Sequence, residues 1–378
     1  MIDPDGARVG AFRTMVEAVA VRTTGLGGDS EVHFVGEGLR GGVTLGPRRV
    51  IPVSLLASDA PEVVLPTLAA QMRNTTPHEY DGRFVRAVPG VHAGGLGARE
   101  ADLLARIGGN VHALGSVLRT RMEQGALKKL VARGLVQISA LTPSDASHVL
   151  GRLGAWDGEA ARMACQLFGR RRTGSGDVLA SDPAQTAQMI VDQLTWETGQ
   201  VLLQAALAED GLDETLANHV LLQKGLKGHK STLRVDAGLA VPVVGLGASA
   251  ATYYPVVGDL LGTQMILPED AGVANAIGAI VGRVTMRRSG TITAPSEGKF
   301  RVHLDSGPED FTSADPALAR LEAVLRENAV AAASAAGAEE IDVRVTRDIR
   351  TAQAEAREVF VEAIVTVEAA GRPRVAVG

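Results

Sequence analysis

Cysteine is almost missing from this chain. The single Cys165 excludes an intramolecular disulfide and any cysteine-based zinc site, and the composition suits a reducing, cytoplasmic setting. Aromatic residues make up only 3% of the sequence, so aliphatic side chains must fill the interior. No apolar run reaches the roughly 20 residues that a membrane span needs, and Met1-Ile-Asp-Pro-Asp5 lacks the basic and apolar stretches of a signal peptide. A soluble protein is expected. Basic charge is not in excess either. A formal charge of −5 argues against a general nucleic-acid binder. The densest basic cluster, Arg170 to Arg172, falls at the end of a predicted helix, where cations complement the helix dipole.

What is present is ordinary for a globular chain: 378 residues, 46% hydrophobic and 21% charged, long enough for two or three structural units. Val19 to Thr24 reads as a strand, Gly25-Leu-Gly-Gly28 breaks it, and Glu31 to Val35 resumes the extended pattern. These belong to a β-rich first unit, residues 1–57, followed by a mainly helical block, 58–228. Within the block, Arg99 to Ile107 ends at Gly108-Gly109, and Asp182-Pro183 opens a long helix to about Glu209. Met189, Ile190, Leu194, Val201 and Leu202 are its candidate core residues. Thr142-Pro-Ser-Asp145 carries a hydroxyl cap, a proline at the first helical position and an acid three residues after the cap, which is a sufficient structural reason for the motif.

Strand signals return at Leu239 to Val244 and Gln264 to Leu267, in an alternating strand-helix segment over 229–288. Ser289 to Lys299, with Pro295 and Gly298, reads as a linker to a final α+β unit, 299–378. There Asp315-Pro316 opens a helix with Leu318, Leu321 and Leu325 on one stripe and Gly337 as its stop. Two alternating strands follow, around Ile341 to Val345 and Val361 to Val367.

Two glycine-rich turns could carry chemistry. In Gly25-Leu-Gly-Gly-Asp-Ser30, successive backbone amides could form an anion site, with Asp29 placed to hold a water-coordinated magnesium ion and Ser30 to donate to a phosphate oxygen. A tight hairpin with an Asx-type turn explains the same residues. The second turn, around Gly245, Gly247 and Ala248, could admit a planar base or ribose, or could simply pack a helix on a strand. Neither a dinucleotide fingerprint nor a Gly-x-x-x-x-Gly-Lys-Ser/Thr loop occurs.

Phe12 to Val19, Thr24 to Val32, Leu45-Gly-Pro-Arg-Arg-Val50, Thr142-Pro-Ser-Asp-Ala146 with Val149-Leu-Gly151, Val244-Gly-Leu-Gly-Ala248, Pro268 with Ala274 to Ala279, and Gly371-Arg-Pro-Arg374 together resemble the A-type proteins of the hydantoinase/oxoprolinase family. The resemblance covers nearly the whole chain. It implies an α/β fold of the actin-like, sugar-kinase-like (ribonuclease H-like) kind, with a helical insertion and a small C-terminal α+β domain. By the same resemblance Gly25, Gly27, Gly28, Asp29 and Ser30 match the second phosphate loop, with Asp29 towards Mg2+, and Gly245, Gly247 and Ala248 match the adenosine turn of an ATP site. The substrate implied is a small cyclic amide, activated by phosphoryl transfer, or bicarbonate in a related carboxylase.

Full members of the family begin with a domain bearing an Asp-x-Gly-Gly-Thr loop, which does not occur in this sequence. The chain is therefore expected to be a C-terminal half, completed by a chain supplying the N-terminal half and by a B-type subunit, without nucleic-acid or membrane partners. A catalytically silent interaction module on the same fold is the other expectation. Related assemblies hold divalent metals, which makes His78 with Glu79 and Asp81, or His92, candidate ligands.

Overall fold

The computed structural model describes residues 21–37, 41–354 and 357–374, with four short strands at Ile2–Asp3, Arg8–Val9, Phe12–Arg13 and Ala18–Val19. Thr14 to Glu17, part of the first stretch that carries the family resemblance, lie outside the described residues. The protein is mixed α/β and divides into two units, Met1–Gly272 and Val273–Gly378. Among the described residues no helix is long and apolar enough to cross a membrane.

The first unit is layered around a four-stranded sheet in the order His112–Ala113, Phe84–Ala87, Val136–Ala140, Ile51–Pro52. Val136–Ala140 runs antiparallel to Phe84–Ala87 and parallel to Ile51–Pro52. Successive strand residues face opposite ways, and the two faces meet separate cores. Phe84 joins Leu56, Leu68, Ile190 and Leu194 beneath the helices Val53–Asp59, Pro61–Arg73, Gly158–Gly169 and Pro183–Glu209. Val85 joins Ile138, Leu103, Ile107 and Leu130 beneath Ala98–Ile107 and Glu123–Ala132. Helix limits follow local rules. Gly108 adopts a φ of 56° after Ile107, and the side chain of Asp182 accepts from the Gln185 amide at the start of the long helix. Ile190 and Leu194 of that helix are buried, whereas Met189, Val201 and Leu202 are half-buried.

The block expected to be mainly helical therefore also carries three of the four strands of the central sheet, and the first helix starts at Val53, ahead of the expected boundary at 58. The glycine turn at 25–28 is also not a hairpin. Ser30–Val35 pairs antiparallel with Gly42–Arg49, while Arg22–Thr23 pairs parallel with Arg8–Val9. Val243–Val244 and Met265–Ile266 form a parallel pair joined by the helix Ala250–Leu261, which matches the expected strand-helix-strand order.

The second unit is a five-stranded antiparallel sheet, in the order Gly307–Phe311, Lys299–Leu304, Val284–Ser296, Arg357–Pro373, Ala338–Ala354, packed by the helix Ala314–Ala335. Ala363, Val365, Val367 and Ala369 face Leu318, Leu321 and Leu325, and Gly337, at a φ of 86°, follows the helix. The linker expected at 289–299 is instead a hairpin. Ser296 pairs with Lys299 around Glu297-Gly298, Gly298 supplies a φ of 71°, and Pro295 sits in the register shift between Thr293 and Ser296. Proline and glycine are breakers within regular strands, yet both are tolerated at a bulge and a tight turn.

Candidate functional site

The Thr142-Pro-Ser-Asp145 motif is the seat of the first glycine turn. The Thr142 side chain accepts from the Asp145 amide, and Asp145 returns the bond to the Thr142 N–H at 2.9 Å and hydroxyl at 2.8 Å, closing a capping box. The same fully buried carboxylate accepts from the amides of Val53 (3.2 Å) and Ser54 (2.8 Å) and from the Ser54 hydroxyl (2.6 Å). Asp145 thus caps two helices, Pro143–Val149 and Val53–Asp59. Burial raises its pKa above the ordinary aspartate value, opposed by the Ser54 and Thr142 donors. His148 is equally committed to structure. Its Nδ1 lies 2.8 Å from the Ser144 carbonyl, its Nε2 accepts from the Trp156 amide at 3.1 Å, and its ring stacks on Trp156.

The turn docks on this seat through the Ser144 amide, which donates to the Gly28 carbonyl at 2.8 Å, and through the Val32 amide, which donates to the Leu141 carbonyl at 3.0 Å. Inside the turn the Ser30 amide donates to the Gly27 carbonyl, and the Gly27 amide to the Ser30 hydroxyl at 2.8 Å. The glycines differ in what they are for. A Cβ at Gly25 would lie 2.3 Å from the Pro47 carbonyl oxygen, and one at Gly28 would lie 2.8 Å from Ser144 Oγ and 3.5 Å from the Tyr253 hydroxyl. Both are required by packing. A Cβ at Gly27 would meet only Asp29 Oδ1, at 3.7 Å. Among the described residues neither the Gly28 nor the Asp29 amide has a hydrogen-bond partner. The Asp29 carboxylate is held by Arg49 Nε at 2.9 and 2.7 Å, so both of its oxygens are engaged by a guanidinium.

At the second turn the Gly245 amide donates to the Ile266 carbonyl (2.8 Å) and the Gly247 amide to the Ala271 carbonyl (2.7 Å). Gly245 is a packing glycine, because a Cβ there would lie 2.5 Å from the Tyr254 ring. Gly247, at a φ of 114°, faces open space, and Ala248 is exposed. The turn opens the Ala250–Leu261 helix, whose buried Tyr253 hydroxyl lies 3.1 Å from the Ser147 hydroxyl and beside Gly28. Burial pushes the Tyr253 pKa up. One side chain, four residues beyond the second turn, thereby touches the seat of the first.

The histidine candidates are not gathered. His78 and His92 are exposed, the His78 amide donates to Asp81, and Glu79 accepts from Gln124. Among the described residues no group of three His, Cys, Asp or Glu side chains is placed to hold a metal. Arg170 donates to the Gln71 and Met72 carbonyls (3.4 and 3.2 Å) at the end of Pro61–Arg73, a cation at a helix C-terminus as expected, but on a neighbouring helix. Arg171 lies 4.2 Å from the Phe168 ring, and burial, with Arg83 nearby, lowers its pKa to about 10.

A group that sequence reasoning did not single out lies on the other side of the turn. Glu31, Gly46, Pro47, His33, Arg48 and Arg83 line an open cleft of about 490 Å³. Glu31 is 1% exposed and accepts from Arg83 Nη2. The only sequence signal was an acid at the start of a strand with arginines downstream. No family model, curated protein or solved structure matches the chain.

Proposed function

We propose that the chain is an A-type subunit, or part of one, of an ATP-dependent cyclic-amide hydrolase or a related ATP-dependent carboxylase, on the actin-like nucleotide-binding fold. The observation that carries this reading is Gly27, the one glycine of the first turn with no packing reason, next to two amides, at Gly28 and Asp29, that have no hydrogen-bond partner among the described residues. Adjacent free N–H groups beside a residue without a Cβ are what an anion-binding concavity requires. Gly247, open and at positive φ, is the corresponding feature of the second turn. Tyr253 supports the pairing of the two turns.

Bound ATP would supply the phosphoryl group that turns an amide or bicarbonate oxygen into a leaving group. The chain's own part is positioning: amides at 28 and 29 towards a phosphate, small residues at 247 and 248 beside the adenosine. Because Arg49 already engages Asp29, Mg2+ fits better as an ion carried in with the nucleotide than as one prebound at Asp29. A chain supplying the Asp-x-Gly-Gly-Thr half and a B-type subunit would complete the assembly.

The silent interaction module is favoured by a specific observation of its own. Gly25, Gly28 and Gly245 all have internal packing reasons. Calorimetric titration with Mg-ATP separates the two. Saturable binding to wild type, weakened at least about tenfold by Gly27→Val in a chain of unchanged thermal stability, is expected. A folded wild type that takes up no Mg-ATP would sink the nucleotide reading and leave the silent module.

A further inference from the structure

One edge of the C-terminal sheet is long and open. The strand Ala338–Ala354 ends the strand order, and between Asp342 and Arg350 no backbone group on its outer side has a partner among the described residues. Register shifts at Glu339/Asp342 and at Arg350/Thr351 bound that run, and its nine residues pair without interruption with Arg357–Pro373. The strand contains neither proline nor glycine. Short length, proline, bulges and charge are the usual means of keeping such an edge from pairing. Only charge is present within this run, and its order favours one particular partner.

Side chains alternate along the run. Val343 and Val345 pack against the core under the helix Ala314–Ala335, which leaves Asp342, Arg344, Thr346, Asp348 and Arg350 on the exposed face. Their signs are self-complementary. A second copy laid antiparallel, with Thr346 opposite Thr346, sets Asp342 against Arg350 and Arg344 against Asp348, and the two-fold axis repeats each pair. Opposite charges directly across a strand pair attract, and like charges repel. Moving the centre to Val345 puts Asp342 opposite Asp348, and moving it to Arg347 puts Arg344 opposite Arg350. On the other face the Thr346 register sets Ile349, 46% exposed, opposite Val343, while Arg347, opposite Val345, already binds Glu322 at 2.5 Å. Among the described residues Arg344 has no ion-pair partner, and the Asp342 side chain stays 82% exposed in its contact with Arg283.

We propose that this edge pairs with a second copy of the chain, antiparallel and centred on Thr346, joining two five-stranded sheets into one. Main-chain hydrogen bonds along the run supply the association, and the order of charges selects partner and register. Because residues of equal parity meet, the two Ala314–Ala335 helices lie on the same face of the joined sheet. The interface is isologous, so a single substitution alters two contacts at once.

Sedimentation velocity of the full chain over a concentration series tests the pairing. Wild type is expected to dimerise with a dissociation constant in the micromolar range, as suits a small interface. Arg344→Asp sets acid against acid, and Asp348→Arg sets base against base. Each variant alone should dimerise at least about tenfold more weakly, with unchanged circular dichroism, since both side chains are exposed. An equimolar mixture of the two variants brings opposite charges together again at every contact and should dimerise as wild type does. A wild type that stays monomeric up to about 1 mM, undiminished dimerisation of either variant, or no recovery in the mixture overturns the proposal.

Discussion

Among the described residues the buried side chains of the C-terminal unit are all apolar, whereas those beneath the first glycine turn include Thr142, Ser144, Asp145, Ser147, Ser54, Ser30 and Glu31. In the first case burial of Leu, Val and Ala is sufficient to fix one arrangement. In the second, every polar group needs a partner, and the partners dictate where the turn lies. A polar interior is harder to stabilise than an apolar one, and here hydrogen bonds rather than packing alone fix the backbone of the turn.

Removal of the polar keystone should have the largest effect. Asp145→Ala leaves several buried amide and hydroxyl donors at two helix ends unpaired, and a loss of about 3–5 kcal/mol in denaturant unfolding of the first unit is expected. Burial raises the pKa of Asp145 in the folded state, so the stability tied to its protonation is present at low pH and lost as pH rises through the folded value. The advantage of wild type over Asp145→Asn should therefore grow as pH falls from 7 towards 4, and a constant difference would contradict the assignment.

The apolar counterpart is Leu321→Ala. A fully buried leucine lying against Gly290 should cost about 2–4 kcal/mol, confined to the second unit's unfolding transition. Gly28→Ala comes next, at about 1–3 kcal/mol, because its Cβ meets Ser144 Oγ at 2.8 Å, while Gly27→Ala one position earlier should leave the melting temperature unchanged. Equal effects at 27 and 28 would remove the distinction between a packing glycine and a free one. Tyr253→Phe, which deletes the hydroxyl's bonds with Ser147 and Ser144, should cost about 1 kcal/mol by the same unfolding measurement.

The two regions were also unequally legible in sequence. In the second unit the period-two pattern around Val361 to Val367 and the stripe of Leu318, Leu321 and Leu325 located sheet and helix, because each signal is local. Pro295 and Gly298 misled as a linker, since whether they break a strand or bend it depends on a partner strand. In the first unit the capping box was readable at Thr142 and Asp145, but its second role at Val53 and Ser54 spans 91 residues or more. The ion pair of Glu31 with Arg83 spans 52 residues, and no spacing rule reaches that far. The glycine turns were visible as turns. Which glycines serve packing and which are free became readable only from what surrounds each one.

Hydrogen exchange at Gly28 and Asp29, with and without Mg-ATP, tests the central claim most directly. Both amides lack partners among the described residues and should exchange quickly in the free chain, then slow markedly when nucleotide is added. Unchanged exchange at both positions under saturating Mg-ATP would contradict a phosphate site at the first glycine turn.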